Sequence, residues 1–330
     1  MSRRRPRVAV LYNAPTLSPD HPDFASEAGV VAAARAVVLE LRNHGFKAFP
    51  LAARSPVNRL VRSLTNKKPD VVFNLIEGFG GQSGGEAWIT SLLELLNLPY
   101  TGCPPEAQGL CRQKARTKAL LLGSGLPSAR AWVFGLEDDP RITPWPGTVI
   151  VKPESEDGSL GIDQGSVVHE PGALAEQVAK VRQHHGGRAL VETYLPGPEY
   201  NVGVVALPKA TPLPIAEIVF EPQAGHWPIL TYAAKWAAGS IEDAATPVQC
   251  PAVVESSLAA RLGQLAVDAF EATGCRDVAR VDFRLGADGQ TMILEVNPNP
   301  DLDPSAGWAR ALRASGRDYG ETLAALTRQA

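Results

Sequence analysis

The sequence predicts a mixed α/β protein in which an N-terminal doubly wound parallel-sheet domain is followed by two α+β units. Strand-like apolar runs alternate with amphipathic helix patterns over about the first 103 residues, as in a parallel sheet with crossover helices. Further along, strands gather around a glycine-containing loop and in a C-terminal hairpin. At 330 residues the chain exceeds what one hydrophobic core usually serves. We therefore expect three domains, residues 1–103, 104–197 and 198–330.

The first domain is expected to contain three strands and two helices. After the first strand, a helix has Ser26 as its N-cap and Gly45 as its stop, with apolar residues at helical spacing between them. A second amphipathic helix ends before Pro99. No G-x-G-x-x-G motif follows the first strand, so a dinucleotide site there has no support. The strands are expected at 7–13, 47–53 and 70–76.

The second and third domains mix strands and helices without the regular alternation of the first. The section 221–250 is long and irregular, and we expect it to fold over a site as a lid. One helix is expected at the C-terminus. The strands are expected at 129–134, 148–152, 165–168, 189–195, 200–208 and 214–220, and the helices at 113–122, 172–184 and 256–272.

Composition and charge exclude several classes of protein. A net charge of −3 gives no basic surplus for nucleic acid. The basic start MSRRRPR precedes an apolar run of five residues, too short for a secretory signal, and no segment approaches the roughly 18 apolar residues of a membrane span. The four cysteines form no CxxC pair, which favours reduced, mostly buried thiols. We therefore expect a cytoplasmic protein that binds neither nucleic acid nor membrane.

The C-terminal hairpin carries the first chemical signal. The stretch ARVDFRL (279–285) alternates apolar and charged residues, and the following Asp288-Gly289 predicts a two-residue type I′ turn. Counting outward from that turn places Asp282 opposite Glu295, with their Cβ atoms about 4.5–5.5 Å apart.

The same count places Arg280 opposite Asn297. Two opposed carboxylates repel each other unless a cation lies between them, and oxygen ligands at this separation suit Mg²⁺ that holds nucleotide phosphates. A solvated sheet face with salt bridges to Arg280 and Arg284 explains the spacing equally well, and the hairpin alone leaves both interpretations open.

A second signal is the loop ESEDGSLG after Lys152, which ends the strand TVIVKP. A lysine followed by a Gly/Ser loop makes a phosphate cradle, because glycine lets backbone N–H groups approach closely. Three acids, Glu154, Glu156 and Asp157, would repel phosphate unless they point away. The later stretch VETYLPGPE offers a strand end that suits an adenine and a ribose, although a linker between domains explains it as well.

These elements in their order resemble the ATP-grasp superfamily, most closely the D-alanine–D-alanine ligase group. They are Lys114 on a helix, Lys152 before its loop, VETYLPGPE, KW at 235–236, RVDF and ILEVNPNP. VFNLIEG and LNLPYTG resemble the amino-terminal domain of the same group, so the resemblance runs over nearly the whole chain.

The resemblance implies a binding site for ATP and two Mg²⁺ ions, with Mn²⁺ able to substitute. Lys114 and Lys152 would contact ATP phosphates, and Lys235 the γ-phosphate. Arg280 would stabilise a tetrahedral intermediate. Ser159, the nearest remaining hydroxyl of the Gly/Ser loop, is another candidate catalytic residue. The residues implied for adenine are Glu192, Thr193, Tyr194 and Leu195, for ribose Glu199, and for metal Asp282, Glu295 and Asn297.

The implied reaction joins two amino acids. A carboxylate attacks the γ-phosphate to give an acyl phosphate and ADP, and an amine then displaces phosphate. In that group the reaction serves cell wall biogenesis. Two alternatives remain: a ligase of another carboxylate–amine pair in specialised metabolism, and a non-catalytic ATP-binding protein. The partners are then amino-acid substrates, and the sequence leaves open whether the protein is a homodimer.

The substrate side departs from the family pattern. Trp236 stands where the family has tyrosine, and its ring N–H cannot reproduce a hydroxyl. Glu77 and Asp301 are acids where the family has histidine and glycine, and they favour a substrate with an extra cationic or amino group. D-alanine alone is therefore expected to support turnover poorly. The substrate-side residues are Glu27 as ammonium partner, Glu77 in place of histidine, Gly158 in place of serine, Trp236, Asn299, and Asp301 in place of glycine.

Overall fold

A computed structural model describes residues 4–18, 20, 24–82, 84–185 and 187–330, the side chains of residues 25–27 excepted. Three sheets follow one another along the chain, one parallel and two antiparallel. Mixed α/β architecture with a parallel N-terminal sheet was predicted, and it is confirmed.

The N-terminal sheet is parallel, with its first strand in the centre and the second and third on either side. Its first helix begins two residues before the predicted N-cap Ser26, whose side chain lies outside the described residues. One helix was not predicted, because only Leu60 and Leu64 of that segment are buried and the rest is polar. The elements are β1 (Arg7–Asn13), α1 (Phe24–Asn43), β2 (Lys47–Ala53), α2 (Val57–Lys67), β3 (Val71–Leu75) and α3 (Gly85–Leu95).

The middle part forms a four-stranded antiparallel sheet in the order β4-β7-β5-β6, preceded by two short helices that meet at Gln113. The elements are α4 (Pro105–Arg112), α5 (Lys114–Gly123), β4 (Ala131–Phe134), β5 (Val149–Pro153), β6 (Val167–Val168), α6 (Leu174–His184) and β7 (Ala189–Thr193), with 3₁₀ turns at Gln164–Ser166 and Pro171–Ala173.

The C-terminal part forms a six-stranded antiparallel sheet in the order β11-β10-β8-β12-β13, with β9 paired to β8. Two C-terminal helices are present where one was predicted. The elements are β8 (Glu199–Ala206), β9 (Ala210–Pro212), β10 (Ala216–Ile218), α7 (Tyr232–Trp236), α8 (Ile241–Ala244), β11 (Val248–Gln249), α9 (Ser256–Ala272), β12 (Val278–Leu285), β13 (Thr291–Asn297), α10 (Gly307–Ala314) and α11 (Tyr319–Gln329).

The two C-terminal helices complete the hydrophobic core of the N-terminal sheet. Trp308 of α10 and Leu323 of α11 are buried in one cluster with Val8 of β1 and Phe73 of β3. Helix α11 packs on both α1 and β3. The chain thus returns to its beginning, while the predicted division at residues 103 and 197 stays a prediction.

The turn of the C-terminal hairpin differs from the prediction. The amide of Gly289 donates to the Gly286 carbonyl oxygen at 3.0 Å, and the Gly286 amide donates to the Gln290 carbonyl oxygen at 2.9 Å. Gly289 has φ 74°, in the left-handed region that glycine adopts without strain. The connection is therefore a three-residue loop at 287–289, and the predicted two-residue type I′ turn is wrong.

The longer turn shifts the strand register by one residue, and a β-bulge reverses the shift. Phe283 pairs with Ile293, whereas Asp282 pairs with Glu295, so Leu294 is the extra residue on β13. The predicted opposition of Asp282 and Glu295 is thus confirmed through two compensating irregularities. Leu294 and Glu295 in consequence both line the same cavity.

Candidate active site

A cavity lies between the four-stranded and six-stranded sheets, and it gathers most of the residues that the sequence singled out. Strands β5 and β7 form one wall, and β8, β12 and β13 form the other. The predicted residues that line it are Lys114, Lys152, Gly158, Ser159, Glu192, Thr193, Tyr194, Leu195, Glu199, Lys235, Arg280, Asp282 and Glu295.

Asp282 is buried and held by two neighbours. The Arg280 guanidinium donates to both of its carboxylate oxygens, each at 2.7 Å, and the Asn201 side-chain amide donates to Oδ1 at 2.8 Å. Asp282 is only 7% exposed. The alternative interpretation was a solvated sheet face with salt bridges. The Arg280–Asp282 salt bridge is present, but Asp282 is buried and not solvated.

Glu295 faces Asp282 within a strongly cationic environment. Its Oε2 lies 3.6 Å from the Lys114 Nζ. Burial by itself would raise the pKa of Glu295, but Lys114, Lys152, Arg280 and Lys235 outweigh it and lower that pKa to about 2. The carboxylate is thus ionised at any physiological pH, as a metal ligand must be.

Asn297 lies opposite Arg280 in the strand pairing, one pair beyond the two carboxylates, but it is not among the residues that line the cavity, and its Oδ1 accepts from the Asn299 amide at 3.0 Å. Among the described residues, no group of three or more His, Cys, Asp or Glu side chains is placed to hold a metal alone. Carboxylate oxygens are ligands that Mg²⁺ uses in proteins, together with several water or phosphate ligands.

The lysines that were predicted to contact phosphate are held by acids on neighbouring elements. Glu192 of β7 forms ion pairs with Lys152 and, at 2.9 Å, with Lys118 of α5. Although burial opposes ionisation, these two lysines lower the pKa of Glu192. The Glu192 carboxylate thus positions Lys152, while its predicted contact with adenine stays a prediction.

The Gly/Ser loop does not turn its acids away from the cavity. Asp157 lies 3.2 Å from the Lys114 Nζ and 3.6 Å from an Arg112 nitrogen, and Glu156 lies 3.5 Å from Arg112. The loop backbone is left-handed at both Gly158 (φ 65°) and Ser159 (φ 62°). Cations of α4 and α5 thus neutralise Glu156 and Asp157, while the third acid, Glu154, is buried and accepts from the Ser155 hydroxyl at 2.5 Å.

The segment 221–250, which we call the covering segment, lies over the cavity as expected of a lid. Ile229 and Leu230 line the cavity. Trp227 packs edge-on against Tyr194 with 5.5 Å between ring centroids, and the Tyr232 amide donates to the Ile162 carbonyl oxygen at 2.9 Å. The covering segment therefore contacts the middle sheet on the far side of the cavity.

Helix α7 of the covering segment brings Lys235 and Trp236 to the site. The Trp236 ring N–H donates to the Gly158 carbonyl oxygen at 2.9 Å, so tryptophan contacts the loop backbone where the family pattern has side-chain hydroxyls. Burial, and then repulsion from Arg280, lowers the pKa of Lys235. A bound polyanion would relieve that repulsion.

Acidic side chains from three parts of the chain interact electrostatically with one another. The pKa of Glu77 is raised to about 8, by burial first and then by the charge of Asp301, with a smaller rise from Asp157, while Lys235 lowers it. Glu86, which the sequence analysis did not select, has its pKa raised by burial and then by Asp157. We call Glu77, Glu86, Asp157 and Asp301 the acidic group.

The remaining predicted substrate residues have mixed placements. The Asn299 side-chain amide donates to the Ile76 carbonyl oxygen at 2.7 Å, which ties the C-terminal loop to the end of β3 next to Glu77. The side chain of Glu27 lies outside the described residues. Contacts of these residues with a substrate stay predictions.

Several site residues escaped sequence reasoning although a signal existed for two of them. Lys118 lies four residues after Lys114 on the same helix face. Arg284 follows Arg280 and Asp282 at alternate positions of β12, and it was considered only as a salt-bridge partner. Asn201 gave no signal, because its contact with Asp282 depends on the pairing of β8 with β12.

Comparisons with known proteins point to one family. A family model described as the D-ala D-ala ligase C-terminus matches residues 144–328. An uncharacterized protein of Sinorhizobium fredii (strain NBRC 101917 / NGR234) is 35% identical over 257 residues, 77% of this chain and 72% of that protein. The D-alanine–D-alanine ligase of Acidiphilium cryptum is 31% identical over 277 residues, 84% of this chain and 85% of that protein.

Structural comparison extends the similarity to the whole fold. The crystal structure of D-alanine–D-alanine ligase from Bacillus anthracis complexed with ATP superposes with a TM-score of 0.77, covering 98% of this chain and 96% of that chain at 18% identity.

The described helices include none that is long and apolar enough to cross a membrane.

Proposed function

The chain belongs to the D-alanine–D-alanine ligase family, and we propose that it is an ADP-forming ligase that uses ATP to join two amino acids through an acyl phosphate. One observation supports this most strongly. Four cations, Lys114, Lys152, Lys235 and Arg280, lower the pKa of Glu295, which faces Asp282 within one cavity. So much positive charge around two carboxylates suits a metal-bound triphosphate.

We propose that Asp282, Glu295 and Asn297 hold two Mg²⁺ ions, for which Mn²⁺ can substitute. The ions would neutralise charge on the β- and γ-phosphates when bound. Lys114 and Lys152 would hold the phosphates, and Lys235 would contact the transferred γ-phosphate. Thr193, Tyr194 and Leu195, which line the cavity, would contact adenine, and Glu199, which lines it too, would contact the ribose.

The proposed chemistry needs no nucleophilic side chain. A substrate carboxylate oxygen attacks the γ-phosphorus as the bond to ADP breaks. An amine then attacks the acyl carbon, and phosphate leaves with one of the carboxylate oxygens. Arg280 would stabilise the tetrahedral oxyanion with a fixed positive charge, and the covering segment would exclude water from the acyl phosphate. Catalysis is then positioning and charge neutralisation.

A finer proposal concerns the substrate. Glu77, Asp157 and Asp301 of the acidic group interact electrostatically with Lys235, where the amino acids would bind, and burial raises the pKa of both Glu77 and Glu86. A cationic side chain or second amine there would offset that effect of burial. We therefore propose that at least one substrate has such a group, and that D-alanine alone is a poor substrate.

The test is release of ADP from ATP and Mg²⁺ in the presence of single and paired amino acids, with basic amino acids and D-alanine in the panel. The proposed function predicts ADP release that requires an amino acid and matches the amide product. If none of the amino acids or pairs in the panel led to ADP release, the proposed function would be contradicted. A kcat/KM of about 10⁴ M⁻¹s⁻¹ or more for D-alanine with itself, exceeding every other pair, would instead contradict only the finer proposal.

A further inference from the structure

Arg284 is a buried arginine at the adenosine end of the cavity, and the proposed chemistry gives it no role. It is 5% exposed and lines the cavity together with Tyr194 and Glu199. Arginine stays charged in proteins, so a guanidinium this buried needs hydrogen-bond acceptors for its N–H groups. Its partners therefore indicate what it does.

The partners of Arg284 come from three separate elements. Its Nη1 lies 3.3 Å from Oε2 of Glu199, and its Nε donates to the Gly197 carbonyl oxygen at 3.1 Å. Its Nη2 donates to the Pro228 carbonyl oxygen. The guanidinium also lies over the Tyr194 ring, 5.3 Å from its centroid. One side chain thus joins the strand that carries Glu199, the connection before it and the covering segment.

Glu199 depends on this contact. Arg284 and Glu199 are directly opposite each other on the paired strands β12 and β8. Burial raises the pKa of Glu199 to about 7 even though Arg284 lowers it. In the described part of the chain, Arg284 is the one side chain that donates to this carboxylate. A second oxygen of the carboxylate therefore keeps its acceptor capacity for a ligand in the cavity.

We propose that Arg284 is a positioning residue for the nucleotide, which holds Glu199 so that its carboxylate accepts hydrogen bonds from the ribose hydroxyls, and which fixes Pro228 of the covering segment over the same end of the cavity. This inference rests on the proposed binding of ATP. A positioning role can be told apart from a purely structural one. Only a positioning residue would affect how the protein distinguishes ribose from deoxyribose.

The experiment measures binding of ADP, 2′-deoxy-ADP and 3′-deoxy-ADP with Mg²⁺ by calorimetry, in the parent and in Arg284→Met, Arg284→Lys and Glu199→Gln. A hydrogen bond to a charged group predicts roughly 10- to 100-fold weaker binding of at least one deoxy nucleotide to the parent. Glu199→Gln should lose most of that discrimination, and Arg284→Met should lose it to the same extent. Combining the two substitutions should add no further loss, and Arg284→Lys should lie between parent and Arg284→Met.

The matched control is Arg276→Met. Arg276 also donates to two carbonyl oxygens, those of Gly102 at 2.8 Å and Tyr100 at 2.9 Å, and it lies over a tyrosine ring outside the cavity. We expect Arg276→Met to leave the ratio of the ADP and deoxy-ADP affinities unchanged. Thermal unfolding of each variant identifies any that fails to fold, and Glu199→Gln then still tests the ribose contact.

Retention of the parental ratio by Arg284→Met would overturn the positioning role and leave Arg284 a structural residue. A parent that binds all three nucleotides equally would overturn it too, because Glu199 would then not contact the ribose. A parent that binds ADP but releases none from ATP with amino acids would contradict the proposed function alone. Absence of any ADP binding would overturn both.

Discussion

Glu295 is the residue on which the metal assignment depends most. It faces Asp282 across the hairpin, and its pKa is lowered to about 2 by the surrounding cations despite burial. Glu295→Gln keeps the shape and removes the charge, so we expect a folded protein that has lost Mg²⁺-dependent ADP formation. Initial-rate assays check this, with Glu217→Gln on β10 of the same sheet as the control. Parental turnover by Glu295→Gln would contradict the assignment.

Arg280 tests the stabilisation of the intermediate. Its guanidinium is fixed by two bonds to Asp282, so its charge is held in one place beside the cavity. Loss of a fixed charge at a developing oxyanion typically costs about 10²–10³ in rate. Arg280→Met should show such a fall in kcat while a titration finds ATP affinity retained. Large loss of ATP binding with normal residual turnover would count against this role.

Glu77 makes a prediction about pH. Its pKa is about 8 in the folded protein and 4.5 as the ordinary value, so between these pH values the folded state binds more protons than the unfolded state. The contribution of Glu77 to stability therefore falls as pH rises from about 4.5 to about 8. Glu77→Gln removes that decline.

We accordingly expect the Tm of Glu77→Gln to exceed that of the parent by an amount that grows with pH over this range. Calorimetric Tm values measured at intervals between pH 5 and 9 check it, with the exposed Glu271→Gln as the control. A Tm difference that stays constant with pH, or shrinks as pH rises, would show that Glu77 is not a buried, destabilised acid.

Helix α5 is joined to the middle sheet by a buried ion pair, and this gives a prediction at the scale of elements. Lys118 and Glu192 have side chains only 4% and 2% exposed. Breaking a buried pair typically costs 3–5 kcal/mol. Because Lys152 still pairs with Glu192, we expect Lys118→Met to lower the free energy of unfolding by about 3 kcal/mol, the low end of that range.

Urea unfolding of Lys118→Met measures the loss, and Lys180→Met is the control. The Lys180–Asp163 pair is similar in distance, at 2.6 Å, but its side chains are 52% and 53% exposed. An exposed pair of this kind contributes about 0–1 kcal/mol. Equal losses in the two variants would mean that the buried pair does not join α5 to the sheet.

The C-terminal hairpin shows how far local sequence rules reach. Alternation in ARVDFRL identified β12, and Asp288-Gly289 located the turn. The turn type was wrong, because the ladder closes at Gly286 and Gln290 around three residues. The Asp282–Glu295 pairing was nevertheless right, since the bulge at Leu294 restores the register. A bulge of this kind has no signal in a single sequence, so the agreement depended on two errors that cancel.

At the scale of the molecule, the ends of the chain were the least predictable part of the fold. Helices α10 and α11 were expected as one helix of a separate C-terminal domain, yet they pack into the core of the N-terminal sheet. Likewise Asp157 and Asp301, both far from Glu77 in sequence, raise the pKa of Glu77 together. Such contacts depend on how the sheets are arranged, and no periodicity or spacing within one segment encodes that arrangement. Most residues that line the cavity were predictable, because the motifs that carry them are local.

The central claim is that a substrate carboxylate attacks the γ-phosphate of ATP, and oxygen transfer tests it most directly. The parent is incubated with ATP, Mg²⁺ and an active amino-acid pair whose acid component carries ¹⁸O in its carboxylate, and the released phosphate is analysed by mass spectrometry. The acyl phosphate route predicts one ¹⁸O in each phosphate and the other in the amide product. Phosphate that carries no ¹⁸O would contradict the account, because water rather than the carboxylate would then have attacked the γ-phosphorus.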